Sequence, residues 1–231
     1  MSILSTGKLF LDALASEIYY DPVVKRYRYK ASDVPGAPIK GFFVSREKAL
    51  QLQRTYLEKS IKEFVALSPR IKAGEIGVYK ESAELLKRIH VSNAIIAAGG
   101  IDKINNSELG TIGNILKKQY YQGKDFETGK PFGLKHMFAD VAADPDYSVA
   151  KLTQRLGMYA QSGEITYETI RQSKQIEIGL TEMKRVLGAT HDHCSPCLGY
   201  ASAGWQPIGE LPLPKTACTC RMNCKCNVLY R

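Results

Sequence analysis

The sequence predicts a mainly α protein in which a helical body carries a small N-terminal β-hairpin and ends in a cysteine-rich β module. Three observations predict this. Apolar residues recur at helical spacing through most of the middle of the chain. Two strand-like stretches near the start flank a turn-forming run. All six cysteines fall within the last 38 of 231 residues. The regions implied are an N-terminal arm (1–45), the helical body (46–181) and the cysteine-rich module (182–231).

Leu9, Leu11, Leu14, Ile18 and Tyr19 stand at helical spacing and predict a short amphipathic helix over residues 7–20. Residues 27–30 and 41–44 read as strands, and Asp33-Val34-Pro35-Gly36-Ala37-Pro38 supplies the turn of a hairpin between them. Ser45 stands at an N-cap position before a long helix. That helix carries Leu50, Leu57, Ile61 and Phe64 on one face and is expected to end at Pro69. A second helix is expected over residues 82–98, with Leu85, Leu86, Ile89 and Ile96 inward and Gly99-Gly100 as its stop. A third runs over residues 108–121 through Leu109, Ile112, Leu116 and Tyr120. Residues 122–145, rich in Gly, Asp and Pro, predict a long loop. From Ser148, the set Val149, Leu152, Leu156 and Tyr159 predicts a helix to Gly163. Thr166 is then placed to cap a last helix reaching at least Gln175.

Composition narrows the function. Apolar residues make up 44% and charged residues 24%, which excludes disordered, collagen-like and low-complexity architectures. No uncharged apolar run approaches the roughly 18 residues a membrane helix needs, so no membrane association is expected. The start, MSILSTGKLFLDALASE, places acidic residues within its apolar stretch and lacks a small-residue cleavage site. A signal peptide is therefore not expected, and the chain reads as soluble and made in the cytoplasm.

The net charge is +9, from 32 basic and 23 acidic residues. The ends carry it: 12 basic against 7 acidic in residues 1–70, 10 against 10 in 71–150, and 10 against 6 in 151–231. No stripe of Lys and Arg follows one element, as a nucleic-acid grip would. Cations and aromatics interleave only in Lys25-Arg26-Tyr27-Arg28-Tyr29-Lys30. A phosphate or partner contact fits that hexamer, and so does an exposed strand with tyrosines inward and cations in water; the strand is preferred.

Nothing in the sequence reads as an enzyme. His90 sits inside a helix with no partner three or four residues away to complete a metal site, and His136 has the same isolated status in the expected loop. Gly99-Gly100 lacks the Gly-Lys-Ser/Thr that completes a phosphate loop. No Gly-x-Ser-x-Gly elbow is present, and no carboxylates pair as an acid and a base. No catalytic residues are expected.

The cysteines read C-x2-C, twenty residues, then C-x-C-x3-C-x-C. A body this large has no need of a disulfide framework, whereas a C-x2-C knuckle facing a second cysteine turn has zinc-like spacing. Two intervening residues let one tight turn aim both sulfurs at a point, and the second turn closes the tetrahedron. Metal binding then folds a short segment with little apolar area of its own. The preferred ligands of a structural zinc are Cys194, Cys197, Cys220 and Cys224. Cys226 shares the face of Cys224 and can substitute, Cys218 is an alternate or a spare, and His191 and His193 flank the knuckle as supports or rival ligands. Disulfides formed in an oxidising medium are the competing reading, and an iron–sulfur cluster is less favoured because the spacing fits no common cluster. Residues 183–187 and Asn227–Tyr230 bracket the cysteines and are expected to pair as a short sheet. Trp205, the only tryptophan, is expected to cover the metal site or pack it on the helices.

Four groups of residues, in order, carry a resemblance. Arg26-Tyr27-Arg28 with Gly41-Phe42-Phe43-Val44-Ser45 comes first, then AIIAAGGIDK at 94–103, then MYAQSGEITYE at 158–168. Last come Arg185-Val186-Leu187-Gly188, Cys194-x2-Cys197, Gly204-Trp205-Gln206-Pro207-Ile208-Gly209 and Asn223-Cys224-Lys225-Cys226. Together they resemble the bacteriophage head morphogenesis family, the minor head proteins similar to that of phage Mu. The chain departs from many of these relatives in having Cys218 and Cys220 where they have a histidine. The resemblance implies a non-enzymatic virion protein at the portal vertex of a tailed phage head, made in the bacterial host cytoplasm. It would contact the portal protein and neighbouring head proteins and be present in several copies; the basic ends permit DNA contact. The alternative is a zinc-ribbon-type nucleic-acid-binding protein, although only Arg221 and Lys225 lie among the clustered cysteines.

Overall fold

The structure is a computed structural model that describes residues 18–21, 26–29, 46–125, 128–190 and 192–231. Near the start, β1 (Ile18–Asp21) pairs antiparallel with β2 (Arg26–Tyr29), Ile18 opposite Tyr29. The helix expected over residues 7–20 is thereby corrected at its end, where Ile18 and Tyr19 are strand. Aromatic and β-branched residues favour the pleated form, and Pro22 disfavours a helical residue before it. Residues 7–17 and 41–44 lie outside the described residues, so the hairpin expected between residues 27–30 and 41–44 is not shown.

The body is helical. Helix α1 (Arg46–Val65) is followed by the short α2 (Ser68–Lys72), which carries Pro69 in its first turn. Pro69 therefore opens a helix instead of closing one, since its missing N–H is an unpaired donor position there anyway. Helix α3 (Val78–Ala98) is the central element and ends on Gly99 at φ 86°, whose N–H donates to Ile95 O at 3.1 Å. Glycine adopts this left-handed cap without penalty. Helix α4 (Asn106–Lys117) starts in a reciprocal cap: Asn105 accepts from the Glu108 N–H, and the Glu108 carboxylate accepts from the Asn105 N–H. A π turn (Lys118–Gln122) follows it.

Residues 122–145 are not the long loop expected. They hold a two-stranded ribbon, β3 (Gly123–Lys124) with β4 (Pro131–Phe132), and helix α5 (Leu134–Ala143). Leu134, Met137 and Val141, at helical spacing, turn inward and are buried; that pattern outweighs the turn-rich composition around it. His136 accordingly sits on a helix. Helix α6 (Val149–Gln161) is capped by Ser148, which accepts from the Lys151 N–H at 3.2 Å. Helix α7 (Gly163–Glu177) begins at once, so Thr166 lies inside it as a buried residue and does not cap it.

Phe64, Leu86, Ile89, Leu134, Met137 and Leu156 are fully buried in the main core among α1, α3, α5 and α6. A smaller cluster, including Ile95, Ile112 and Ile170, closes α3 against α4 and α7. Helix α7 comes so close to α3 that a Cβ at Gly163 would lie 2.7 Å from the Ile89 side chain. Several buried polar groups there pair with one another, although the Ser92 hydroxyl on α3 has no hydrogen-bond partner. His90 Nδ1 lies 2.6 Å from Thr166 Oγ1, its Nε2 lies 3.2 Å from Ser162 Oγ, and Gln53 donates to Asn93. The Ser162 hydroxyl donates to Tyr159 O, so its oxygen accepts from His90 Nε2–H, leaving Nδ1 to accept from Thr166. His90 is a structural histidine.

The C-terminal sheet has the order β6–β5–β7: β5 (Glu182–Val186) between β6 (Gln206–Pro207) and β7 (Asn227–Tyr230), all antiparallel. The expected pairing of the segments that bracket the cysteines is present, with Arg185 opposite Val228. The sheet docks on α7, where Arg171 donates to Val228 O at 3.1 Å and lies over the Tyr230 ring.

Candidate metal centre

Local chain geometry gathers the sulfurs. Cys194 is the N-cap of α8 (Ser195–Ser202) and Cys197 sits in its first turn, so the C-x2-C spacing aims both at one side of the helix start. Opposite them, Cys218 leads into a 3₁₀ turn (Arg221–Asn223) with Cys220 and Cys224 at its two ends. The Arg221 N–H donates to Cys218 O, the Asn223 N–H to Cys220 O and the Cys224 N–H to Arg221 O, and these bonds hold the second knuckle. Cys226 enters from the residue before β7. Gly188, after β5, lets the strands close here, because a Cβ on it would meet Lys225 O at 2.1 Å.

The sulfurs of Cys197, Cys218, Cys220 and Cys224 all lie within 4.8 Å of one another. Neighbouring pairs are 3.5 Å (Cys218–Cys220) and 3.7 Å (Cys197–Cys220, Cys197–Cys224) apart. Zinc–thiolate bonds of about 2.3 Å make a tetrahedron with edges of about 3.8 Å, so this spacing suits four ligands around one ion. A disulfide needs about 2.05 Å, and all six cysteines are free. Three of the four preferred ligands, Cys197, Cys220 and Cys224, fall within this set, and Cys218 belongs to it instead of standing spare. Cys194 lies just beyond it, 3.5 Å from Cys220. Cys226 is buried against Cys197, and the partly buried His193 contributes no atom to the grouped ligands.

Crowding splits the acidities. Burial pushes the Cys197, Cys218 and Cys220 thiols up, and neighbouring sulfurs reinforce the rise at Cys197 and Cys220. At Cys194, burial is outweighed by hydrogen bonds from Thr219 and from backbone N–H groups, which hold it down at about 6. At Cys224 the same opposition leaves it at about 7. Sulfurs this close cannot all be thiolates without a cation among them.

One such cation is Arg185. Arg185, on the inward face of β5, is 1% exposed. Its Nη1 donates to Pro212 O at 2.6 Å, and Nη2 lies 3.5 Å from Cys197 Sγ and 3.7 Å from Cys224 Sγ. Burial works against its charge, and Cys226, Cys224 and Cys197 outweigh that cost and keep the guanidinium protonated. A buried guanidinium needs an anion, and the sulfurs are what it faces. The period-2 alternation of β5 from Met183 was the only signal that could have revealed it.

Trp205 does not cover the sulfurs. It is partly exposed beside β6, with the Arg231 guanidinium 4.5 Å from its ring centre, and it is not among the residues packed on the sulfurs. A cleft of about 390 Å³ separates the second knuckle from α6 and α7. Two of its cations beside the knuckle are tied to carboxylates: Lys215 to Glu164 at 2.8 Å and Arg221 to Asp125 at 3.0 Å. No helix among the described residues is long and apolar enough to cross a membrane. No protein-family profile, curated protein or solved structure matches this chain.

Proposed function

We propose that this chain is a structural protein of a tailed bacteriophage virion, a minor head protein that acts at the portal vertex during head assembly. It binds the portal protein and neighbouring head proteins in several copies, performs no catalysis, and has its C-terminal module folded by zinc. The observation that supports this reading is where the family-like stretches fall. Residues 94–103 finish α3 and turn at Gly99, and residues 158–168 form the α6–α7 junction that packs on α3 through Gly163. The C-terminal stretches supply Cys194, Cys197, Cys224 and Cys226. The resemblance thus lies on the joints of the fold and not on surface positions alone. An all-sulfur donor set at tetrahedral spacing favours zinc over magnesium or calcium, which take oxygen ligands.

A density map of the particles assembled by the phage that encodes this chain tests the reading. It is expected to place several copies at the portal vertex. Absence of the chain from finished particles overturns it. If the chain is absent from particles and the free protein retains DNA with a steep salt dependence, the nucleic-acid-binding alternative takes its place. The cations tied to carboxylates beside the cysteines argue against that alternative.

A further inference from the structure

We infer that the module holds two metal ions in one six-thiolate cluster, with Cys197 and Cys220 shared between them. The inference rests on the metal reading above and extends it from one ion to two.

One tetrahedral ion uses four of the six sulfurs and leaves two buried or half-buried thiols crowded against it. Two tetrahedra that share an edge need six sulfurs, because eight ligand places are filled when two thiolates count twice. In such an arrangement the shared sulfurs must touch each other and both terminal pairs. Cys197 and Cys220 meet each other, and each meets three of the four terminal sulfurs, at least one from each pair. Cys197 and Cys220 lie 3.7 Å apart. Cys197 meets Cys194, Cys220, Cys224 and Cys226, and Cys220 meets Cys194, Cys197, Cys218 and Cys224. Cys224 meets three, those of Cys197, Cys218 and Cys220.

The terminal sulfurs then divide. Cys218 and Cys224 touch each other and complete one tetrahedron with the hubs, the set within 4.8 Å. Cys194, 3.5 Å from Cys220, and Cys226, against Cys197, stand outside that set and are left to complete the second. Charge is consistent with this: two divalent ions and six thiolates sum to −2, and the buried guanidinium of Arg185 meets the shared Cys197 and a terminal sulfur from each side, Cys224 and Cys226. A single ion with four thiolates also sums to −2, but leaves the sulfurs of Cys194 and Cys226 packed beside the site with no metal to bind.

The test is metal stoichiometry of the whole chain, prepared reduced and zinc-replete, together with cadmium-113 resonance after exchange. Two ions per chain are expected, with two cadmium signals coupled to each other through shared sulfur. Cys194→Ser should drop the count to one and leave the signal of the Cys197, Cys218, Cys220 and Cys224 site. One ion in the native chain overturns the shared cluster and leaves the single-zinc reading standing; no ion overturns both. Two ions with uncoupled signals overturn the sharing. Should Cys194→Ser not fold, the native count and coupling decide alone.

Discussion

The helical body and the cysteine module solve the same problem with different materials. In the body, helices bury fully apolar side chains such as Phe64, Leu86 and Leu156, and polar groups among them such as His90 and Thr166 are paired with each other. In the module the apolar core is three buried residues, Met183, Leu211 and Val228, beside a separate cluster made of sulfur and a buried arginine. The body therefore stands on burial of apolar area. The module, too short for that, gathers thiols at a spacing suited to a metal ion, and the proposed zinc supplies the folding energy that apolar area does not. The contrast predicts that each half answers to its own perturbation.

Acid gives the largest separate effect on the body. Burial holds His90 down at about 3 from an ordinary 6.5, so the folded chain keeps it neutral where the unfolded chain binds a proton. Stability is complete above about pH 6.5 and falls as pH drops toward 3, by about 1.4 kcal/mol per pH unit and up to about 5 kcal/mol in total. His90→Gln should flatten that slope in denaturant titrations of helicity while leaving acid release of metal unchanged. If the slope persists, His90 is not its source.

Phe64→Ala comes next, at about 3–5 kcal/mol, the cost of emptying a fully buried aromatic site. Metal content of the folded fraction should stay at the native value. A parallel loss of metal would show that the two regions share one cooperative unit.

Arg185→Met attacks the module alone. It removes the buried charge that faces the sulfurs, and metal retention against a competing chelator should weaken about 10- to 100-fold, the usual effect of losing a group that supports metal ligands. The helical melting transition should not move. The smallest effect is expected at Trp205, which lies partly exposed under Arg231. Trp205→Ala should cost below about 1 kcal/mol, the scale of an exposed cation–π contact, and a loss above about 3 kcal/mol would restore the buried role the sequence suggested.

The same contrast separates what was legible in the sequence from what was not. Periodicity located α3 and α6 because each buries a continuous stripe, and spacing located the cysteine knuckles because turns need short intervals. Helix α5 was hidden because its inward Leu134, Met137 and Val141 are diluted by turn-forming neighbours. Thr166 was misread because a hydroxyl suits a cap as well as a buried partner for His90. Cys218 was undervalued because spacing along the chain does not say which sulfurs converge. Arg185 was invisible as a site residue because its role exists only when three distant sulfurs meet around it.

Hydrogen exchange along the reduced chain, with metal bound and after its removal by a chelator, tests the division of labour most directly. The account predicts that amides of β5 and β7 lose protection on removal while those of α3, α6 and α7 keep theirs. Unchanged protection in β5 and β7 would contradict it, as would loss of protection throughout the helices.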